Sequence, residues 1–214
     1  MIIKRIYKSI RFRIDNLQYQ SRNKKKLINK DFSIISNNCW GGVISQKYGL
    51  PYRSPTCGLL ILGDDYIKFC KNLKYYLSKE LKFIPMEKSK YYEVYKEHPF
   101  PVALCDDIEI YFMHYKTEEE AAEKWYRRSK RINWDFIIYK LSEREAFTEQ
   151  NMQDFADLPL KNKIIIGSKS YTKDTIVIEN IHTFNGSEED IVAKYFDEAK
   201  YLNDIALKES KNKE

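Results

Sequence analysis

No apolar run in this 214-residue chain approaches the roughly 18 residues that a membrane-crossing helix requires. The leading residues lack the unbroken apolar core and small-residue cleavage site of a secretory signal, so export is not expected. Four cysteines, at 39, 57, 70 and 105, form no CxxC pair and no disulfide-dense pattern. That usage points to a reducing cytoplasm. Phosphate-cradling GxxxxGK[ST] and GxGxxG loops are absent, as are HExxH and GxSxG, which removes the commonest nucleotide, zinc-protease and serine-hydrolase readings. With three histidines, Cys and His spacing makes no zinc site. No metal is assigned, and the cofactor stays open.

What remains is a globular composition. At 25.7 kDa, with 43% hydrophobic and 14% aromatic residues, the chain fits one domain with extensions. Its seventeen tyrosines offer large contact area with a polar end, suited to wet clefts and interfaces. Charge is uneven. Residues 1–30 carry ten Lys/Arg against one acid, Asp15, a net of +9 in a chain totalling +6, which leaves −3 for the rest.

In that arm Ile3, Ile6, Ile10, Ile14 and Leu17 recur at helical spacing between basic residues. Such a helix can lie on an anionic membrane surface or dock its stripe on the domain. A nucleic-acid role lacks any accompanying module. The expected organisation is therefore a basic amphipathic arm at 1–30, a single α/β domain at 31–207 and a polar tail at 208–214. Within the domain, the pattern predicts a strand at 32–36, a helix about 42–48 ended by Gly49-Leu50-Pro51, and an apolar strand Cys57–Leu62. A helix about 64–80 follows, then a hairpin or irregular loop at 83–101 and a strand within Asp107–Tyr115. Thr117 with Glu120 has capping-box spacing for a helix about 118–131. Strand Phe136–Lys140, a helix near 145–155, strands 163–167 and 175–179, and a helix near 187–207 complete the series. Alternating helices and short apolar strands imply a three-layer α/β fold, its sheet mostly parallel with helices on both faces.

The stretch Phe32–Gly42 carries the most chemistry. A strand ends in Asn37 and Asn38, delivers Cys39, and is followed by Trp40, Gly41 and Gly42. A thiol at a turn or helix start meets unpaired N–H groups and the helix dipole, which favour thiolate. The plain alternative is a small buried cysteine beside a tight turn. His114 ends another strand, and carboxyl ends of strands are where open α/β sheets build their sites. A Cys39–His114 pair needs hydrogen-bond reach and an orienting third group. Asp107 and Glu109 are the nearest carboxylates, with Asp135 behind them. Otherwise His114 is an ordinary strand-end side chain. Four cations crowd Arg127, Arg128, Lys130 and Arg131. Arg127 and Arg131 share a helix face and can grip an anion, while Arg128 points elsewhere and can hold a structural carboxylate. Asp64-Asp65 reads as a helix start, and Asp106-Asp107 can hold a cation beside a nucleotide sugar.

The blocks SNNCWGG (36–42), YGLPYRSPTCGLLI (48–61), DIEIYFMHYKTEEEAAEKWYRRSKRINWD (107–135) and KIIIG (163–167) resemble a bacterial family of unknown function usually labelled exopolysaccharide-biosynthesis proteins. The resemblance covers residues 32–180 and implies a cytoplasmic protein of capsule or surface-glycan assembly. A fainter likeness runs to papain-like cysteine hydrolases, carried by Cys39, by Gly49, Leu50, Ser54 and Pro55, by His114, and by Arg127 and Arg128.

Three functions follow as expectations. The first is a cysteine-dependent acyl transferase or hydrolase acting on a glycan or its precursor. In it Cys39 is nucleophile, His114 is base, Asp107 or Glu109 orients the ring, and N–H groups near Trp40, Gly41 and Gly42 bind the oxyanion. Asn37, Asn38, Arg127, Arg128 and Arg131 would contact substrate. The second is a nucleotide-sugar-dependent glycosyl or phosphoryl-linked transferase that uses Arg127, Arg131 and Asp107. The third is a non-enzymatic assembly factor held peripherally at the inner membrane surface by residues 1–30.

Overall fold

The computed structural model describes residues 2–144 and 146–211. Helix α1 (Ile2–Lys24) leads to strand β1 (Ser33–Ser36) and helix α2 (Trp40–Lys47). Helices α3 (Gly63–Lys71) and α4 (Leu73–Leu77) precede β2 (Leu81–Ile84), a 3-10 turn at Met86–Lys88 and α5 (Tyr92–Tyr95). A hairpin of β3 (Val102–Cys105) and β4 (Ile108–Tyr111) comes next, followed by α6 (Glu118–Ser129) and β5 (Ile137–Ser142). The chain closes with α7 (Glu149–Asp157), β6 (Lys163–Gly167), β7 (Ile176–Val177), α8 (Glu188–Val192) and α9 (Glu198–Lys211).

Two sheets result. Strands β1, β5, β6 and β7 lie in that order and are all parallel, while β2, β3 and β4 form an antiparallel meander. The parallel sheet is covered on both faces, as parallel sheets are. Alternation along the strands divides the core accordingly. Ile34, Ile138, Ile164 and Ile166 join a cluster with Trp40 and Ile44 of α2, Ile191 of α8 and Leu202 of α9. Ile35, Leu141 and Ile165 point the other way, into a larger cluster with α3, α6, α7 and the meander. The mixed α/β fold expected from the sequence is present, and the meander is its addition.

Several expected elements are shorter or divided. The helix about 64–80 breaks at Asn72, whose φ of −130° and ψ of 45° leave the helical region. The helix near 187–207 is two, because the Asp197 carboxylate accepts from Lys200 N at 3.0 Å and starts α9 afresh. Cys57–Leu62 makes a single bridge, Leu60 with Tyr111, in place of a strand. Thr117 caps α6 as its spacing suggests, accepting from Glu120 N at 3.2 Å. The expected tail from 208 overlaps α9, and residues 212–214 lie outside the described residues. Among the described residues no helix is long and apolar enough to cross a membrane.

Candidate functional site

The segment 56–61, a turn as far as Gly58, brings two distant strand ends together. On one side it holds β1: Ser36 N donates to Thr56 Oγ1 at 3.1 Å and Ile61 N to Asn37 O at 3.0 Å. On the other it holds β4: Leu60 and Tyr111 exchange both backbone bonds, at 2.8 and 2.9 Å, and His114 N donates to Gly58 O at 3.1 Å. Gly58 has φ +82°, a left-handed value open to glycine at little cost, and a Cβ there would lie 3.3 Å from the Tyr115 ring. Through this segment Cys39, just past β1, and His114, just past β4, line the same two hollows.

Cys39 is the N-cap of α2 and is half-buried; His114 is exposed. The N–H groups expected to form an oxyanion site are already committed. Trp40 N donates to Asn38 Oδ1 at 3.2 Å, Gly41 N to Ser36 Oγ at 3.2 Å, and Gly42 N to Cys39 O at 3.0 Å. Gly41 is tightly packed, since a Cβ would stand 3.0 Å from Ile34 Cγ2 and 3.1 Å from Ser36 Oγ. Such a contact is below ordinary van der Waals distance, so a side chain there would push Ile34 and Ser36 aside by a few tenths of an ångström. These bonds fix where the thiol sits; they do not bind a ligand.

The larger hollow, 350 Å³, adds Tyr52, Tyr115, Lys124 and Arg128 to the shared pair. Arg128 is buried, its Nη1 donating to Cys57 O at 2.8 Å and Tyr115 Oη at 2.5 Å, with the guanidinium 4.7 Å above the Tyr52 ring. The smaller hollow, 210 Å³, adds Asn38, Trp40, Arg144, Glu188 and Glu189. Behind it Lys140, fully buried on β5, forms an ion pair with Glu188. Lys140 Nζ also donates to Asn38 Oδ1 at 3.0 Å, Ser142 Oγ at 2.9 Å and Asn37 Oδ1 at 3.3 Å. Glu188 Oε2 accepts from Asn38 Nδ2 at 2.7 Å and Ser142 Oγ at 2.6 Å. Burial alone would raise the Glu188 carboxyl, but the Lys140 charge and the bonds from Lys140, Ser142 and Asn38 hold it below the usual range.

The other expected site residues lie elsewhere. Asp107 sits at the far end of β4, in the hairpin turn, held by Lys68 Nζ at 2.7 Å and Tyr76 Oη at 2.9 Å. Glu109 is buried in β4 and accepts from Tyr111 Oη and, at 2.9 Å, Lys90 N. Neither lines a hollow with Cys39 and His114. Asp135 is exposed in the turn before β5. Arg127 pairs with Glu123 at 3.0 Å on the outer face of α6, and Arg131 is exposed beyond the helix. Of the three arginines expected at the substrate, Arg128 faces the cavity, and it holds a carbonyl and a hydroxyl in place of the structural carboxylate also considered for it. Asn37 is buried behind the site, accepting from Lys140 Nζ and Ser142 N. Asp64 and Asp65 open α3, bonded to Asn151 Nδ2 and Lys90 Nζ. His182 lies outside the two hollows and faces Glu143 at 3.2 Å. Among the described residues no three His, Cys, Asp or Glu side chains gather as a metal site. Lys140, Ser142 and Glu188 were missed; the legible signal was one lysine inside the apolar strand FIIYKLS.

The fold and site define an α/β protein whose polar cluster stands at the carboxyl ends of its strands, where such sheets place ligands. The chain belongs to the family described as a domain of unknown function (DUF1919), whose model matches residues 10–209. It is 36% identical over 148 residues to an uncharacterized protein of Haemophilus influenzae, covering 69% of this chain and 67% of that one.

Proposed function

We propose that this protein is a cysteine-dependent acyl transferase or hydrolase of surface-glycan assembly, with Cys39 as nucleophile and His114 as base. The observation that carries the reading is the presence of one thiol and one imidazole, from separate strand ends, on the walls of both hollows. His114 takes the thiol proton as sulfur bonds to the acyl carbon. The leaving oxygen accepts that proton as its bond to the acyl carbon breaks, leaving a thioester. An acceptor hydroxyl or water then gives its proton to His114 and attacks the thioester; the carbon–sulfur bond breaks, and Cys39 takes the proton back from His114. The glycan class follows from the sequence resemblance to exopolysaccharide-biosynthesis proteins.

The test is alkylation of the native protein by iodoacetamide, followed across pH. Burial pushes Cys57 up to about 11 and Cys105 up to about 12, against weaker opposing charges from Arg128 and Lys79, and pushes Cys70 higher still. Cys39 labels first, and His114→Ala moves the pH at which it labels upward because the imidazole no longer supports the thiolate. An unchanged profile in His114→Ala overturns the pairing.

The cytoplasmic, membrane-peripheral placement extends this proposal. Of the apolar stripe on α1, Ile3, Ile6 and Ile10 lie outside the described side chains, while Ile14 and Leu17 are 48% and 64% exposed among exposed Arg11 and Arg13. The exposure of these two apolar side chains between cations supports an anionic lipid surface as the partner of the arm. Co-sedimentation with anionic vesicles, reduced by Ile14→Glu with Leu17→Glu, checks it.

A further inference from the structure

Every charged side chain lining the larger hollow is a cation. Lys124 and Arg128 stand there with His114, and the lining includes no Asp or Glu. The ion pairs of α6 are those of Lys124 with Glu120 and Arg127 with Glu123; among the described residues none reaches Arg128. A buried cation without a counter-charge is costly unless dipoles or a ligand compensate it. Arg128 has partial compensation from neutral groups. The Cys57 carbonyl and Tyr115 hydroxyl each accept from Nη1, at 2.8 and 2.5 Å, and the rings of Tyr52 and Tyr115 lie 4.7 and 5.9 Å from the guanidinium carbon. Both hydrogen bonds come from one nitrogen. Among the described residues no hydrogen bond is made by Nε or Nη2, which leaves those N–H groups of the fork for an acceptor from outside. The guanidinium carbon is held 4.7 Å from the centre of the Tyr52 ring, and a planar fork held in place is suited to two oxygens of one group.

We propose that the larger hollow binds a substrate through an oxyanionic group, a phosphate or a carboxylate, gripped by Arg128 with Lys124 alongside. At 350 Å³ the hollow lies at the small end of ligand pockets, about 300–1,000 Å³, which suits a single charged sugar. Tyr52 and Tyr115 give that sugar aromatic walls. The statement that the charged group lies beside the reacting sulfur rests on the function proposed above; the anion site itself does not.

The test uses the full chain and measures thermal shift and calorimetric affinity for glucose 1-phosphate, glucuronate, inorganic phosphate and neutral glucose. Glucose 1-phosphate or glucuronate stabilises the protein while glucose does not, and the stronger of the two shows whether phosphate or carboxylate is the natural group. Arg128→Gln weakens binding of the preferred probe about tenfold or more, as loss of a charge-assisted pair does. Because Arg128 also braces Cys57 and Tyr115, Lys124→Gln, at a side chain only partly buried, serves as the second variant and weakens binding severalfold with the fold intact. Equal shifts by glucose and the anions overturn the proposal, as does no shift by any anion, or unchanged affinity in both variants. Binding that persists in Cys39→Ser while His114→Ala leaves alkylation unaltered keeps the anion site and removes the thiol mechanism. The reverse pattern removes the anion site alone.

Discussion

The two hollows that meet at Cys39 and His114 treat their charges in opposite ways. On the Arg128 side the cation is answered, among the described residues, by a carbonyl, a hydroxyl and aromatic faces. On the other side Lys140 is more deeply buried, yet Glu188, Asn37, Asn38 and Ser142 surround it. The first arrangement leaves positive potential facing a cavity; the second neutralises itself at the cavity wall. The Lys140 cluster thus belongs to the scaffold. It ties β1 and β5 to the start of α8 and holds Asn38, whose Oδ1 accepts from the first N–H of α2. One hollow is built to receive charge, and the other to hold the backbone that presents the thiol.

The largest expected effect breaks the self-neutralised side. Lys140→Met leaves Glu188 buried without its counter-ion and lowers unfolding free energy by about 3–5 kcal/mol. Adding Glu188→Gln restores part of that loss, since both charges are then gone, and a urea-unfolding cycle reads the difference. If the double variant is as unstable as the two losses summed, the pair is not the coupled unit described here. The same pair contributes to the acid limit. The folded Glu188 carboxyl is held below its unfolded value, so its contribution is complete above the unfolded value of about 4.3 and is lost as pH falls through the folded value. Unfolding midpoints measured downward from pH 6 fall below about pH 4 in the native chain, and Glu188→Gln flattens that limb.

A smaller effect is expected in the first turn of α2, behind Cys39. Gly41→Ala forces a methyl against Ile34 and Ser36 and costs about 1–3 kcal/mol as overpacking. Because Ser36 Oγ accepts from Gly41 N, the displacement reaches the turn that carries Cys39. Alkylation of Cys39 therefore changes rate together with stability, which urea unfolding and labelling of the same sample both record.

These contrasts show what could be read in the chain. Apolar periodicity alternating between strand and helix was enough for the parallel sheet, because burial on two faces leaves a mark at every position of Ile34–Ile35 and Ile164–Ile166. Cys39 and His114 stood out because each follows directly on a strand. The meander was hidden: β2 and β3 pair across a segment rich in Tyr, Lys and Pro, and their pairing is decided by packing under α3 and α6 rather than by local pattern. Arg127, Arg128 and Arg131 are alike as sequence, and only the direction of α6 against segment 56–61 decides which one faces inward. Lys140 gave a visible sign, but its partner Glu188 lies 48 residues further on, in a helix of one turn. No local rule selects that carboxylate from its neighbours Glu189 and Asp190.

The smallest expected effect concerns Asp107, which the sequence offered as the orienting carboxylate for His114. Its oxygens are held by Lys68, 45% exposed, and by Tyr76, at the end of β4 remote from His114. Hydrogen bonds from Lys68 and Tyr76 hold its pKa below the usual range, so its stabilising share is present at neutral pH and fades only in acid. With Asp107 itself about half exposed, solvent screening keeps that share below about 1 kcal/mol. Asp107→Asn should therefore lower the urea midpoint slightly and leave the pH profile of Cys39 alkylation where it was. A displaced profile would mean that charge at the hairpin reaches the imidazole along β4. His114 would then have an orienting partner at long range, and the separation between scaffold and site would have to be redrawn around that strand.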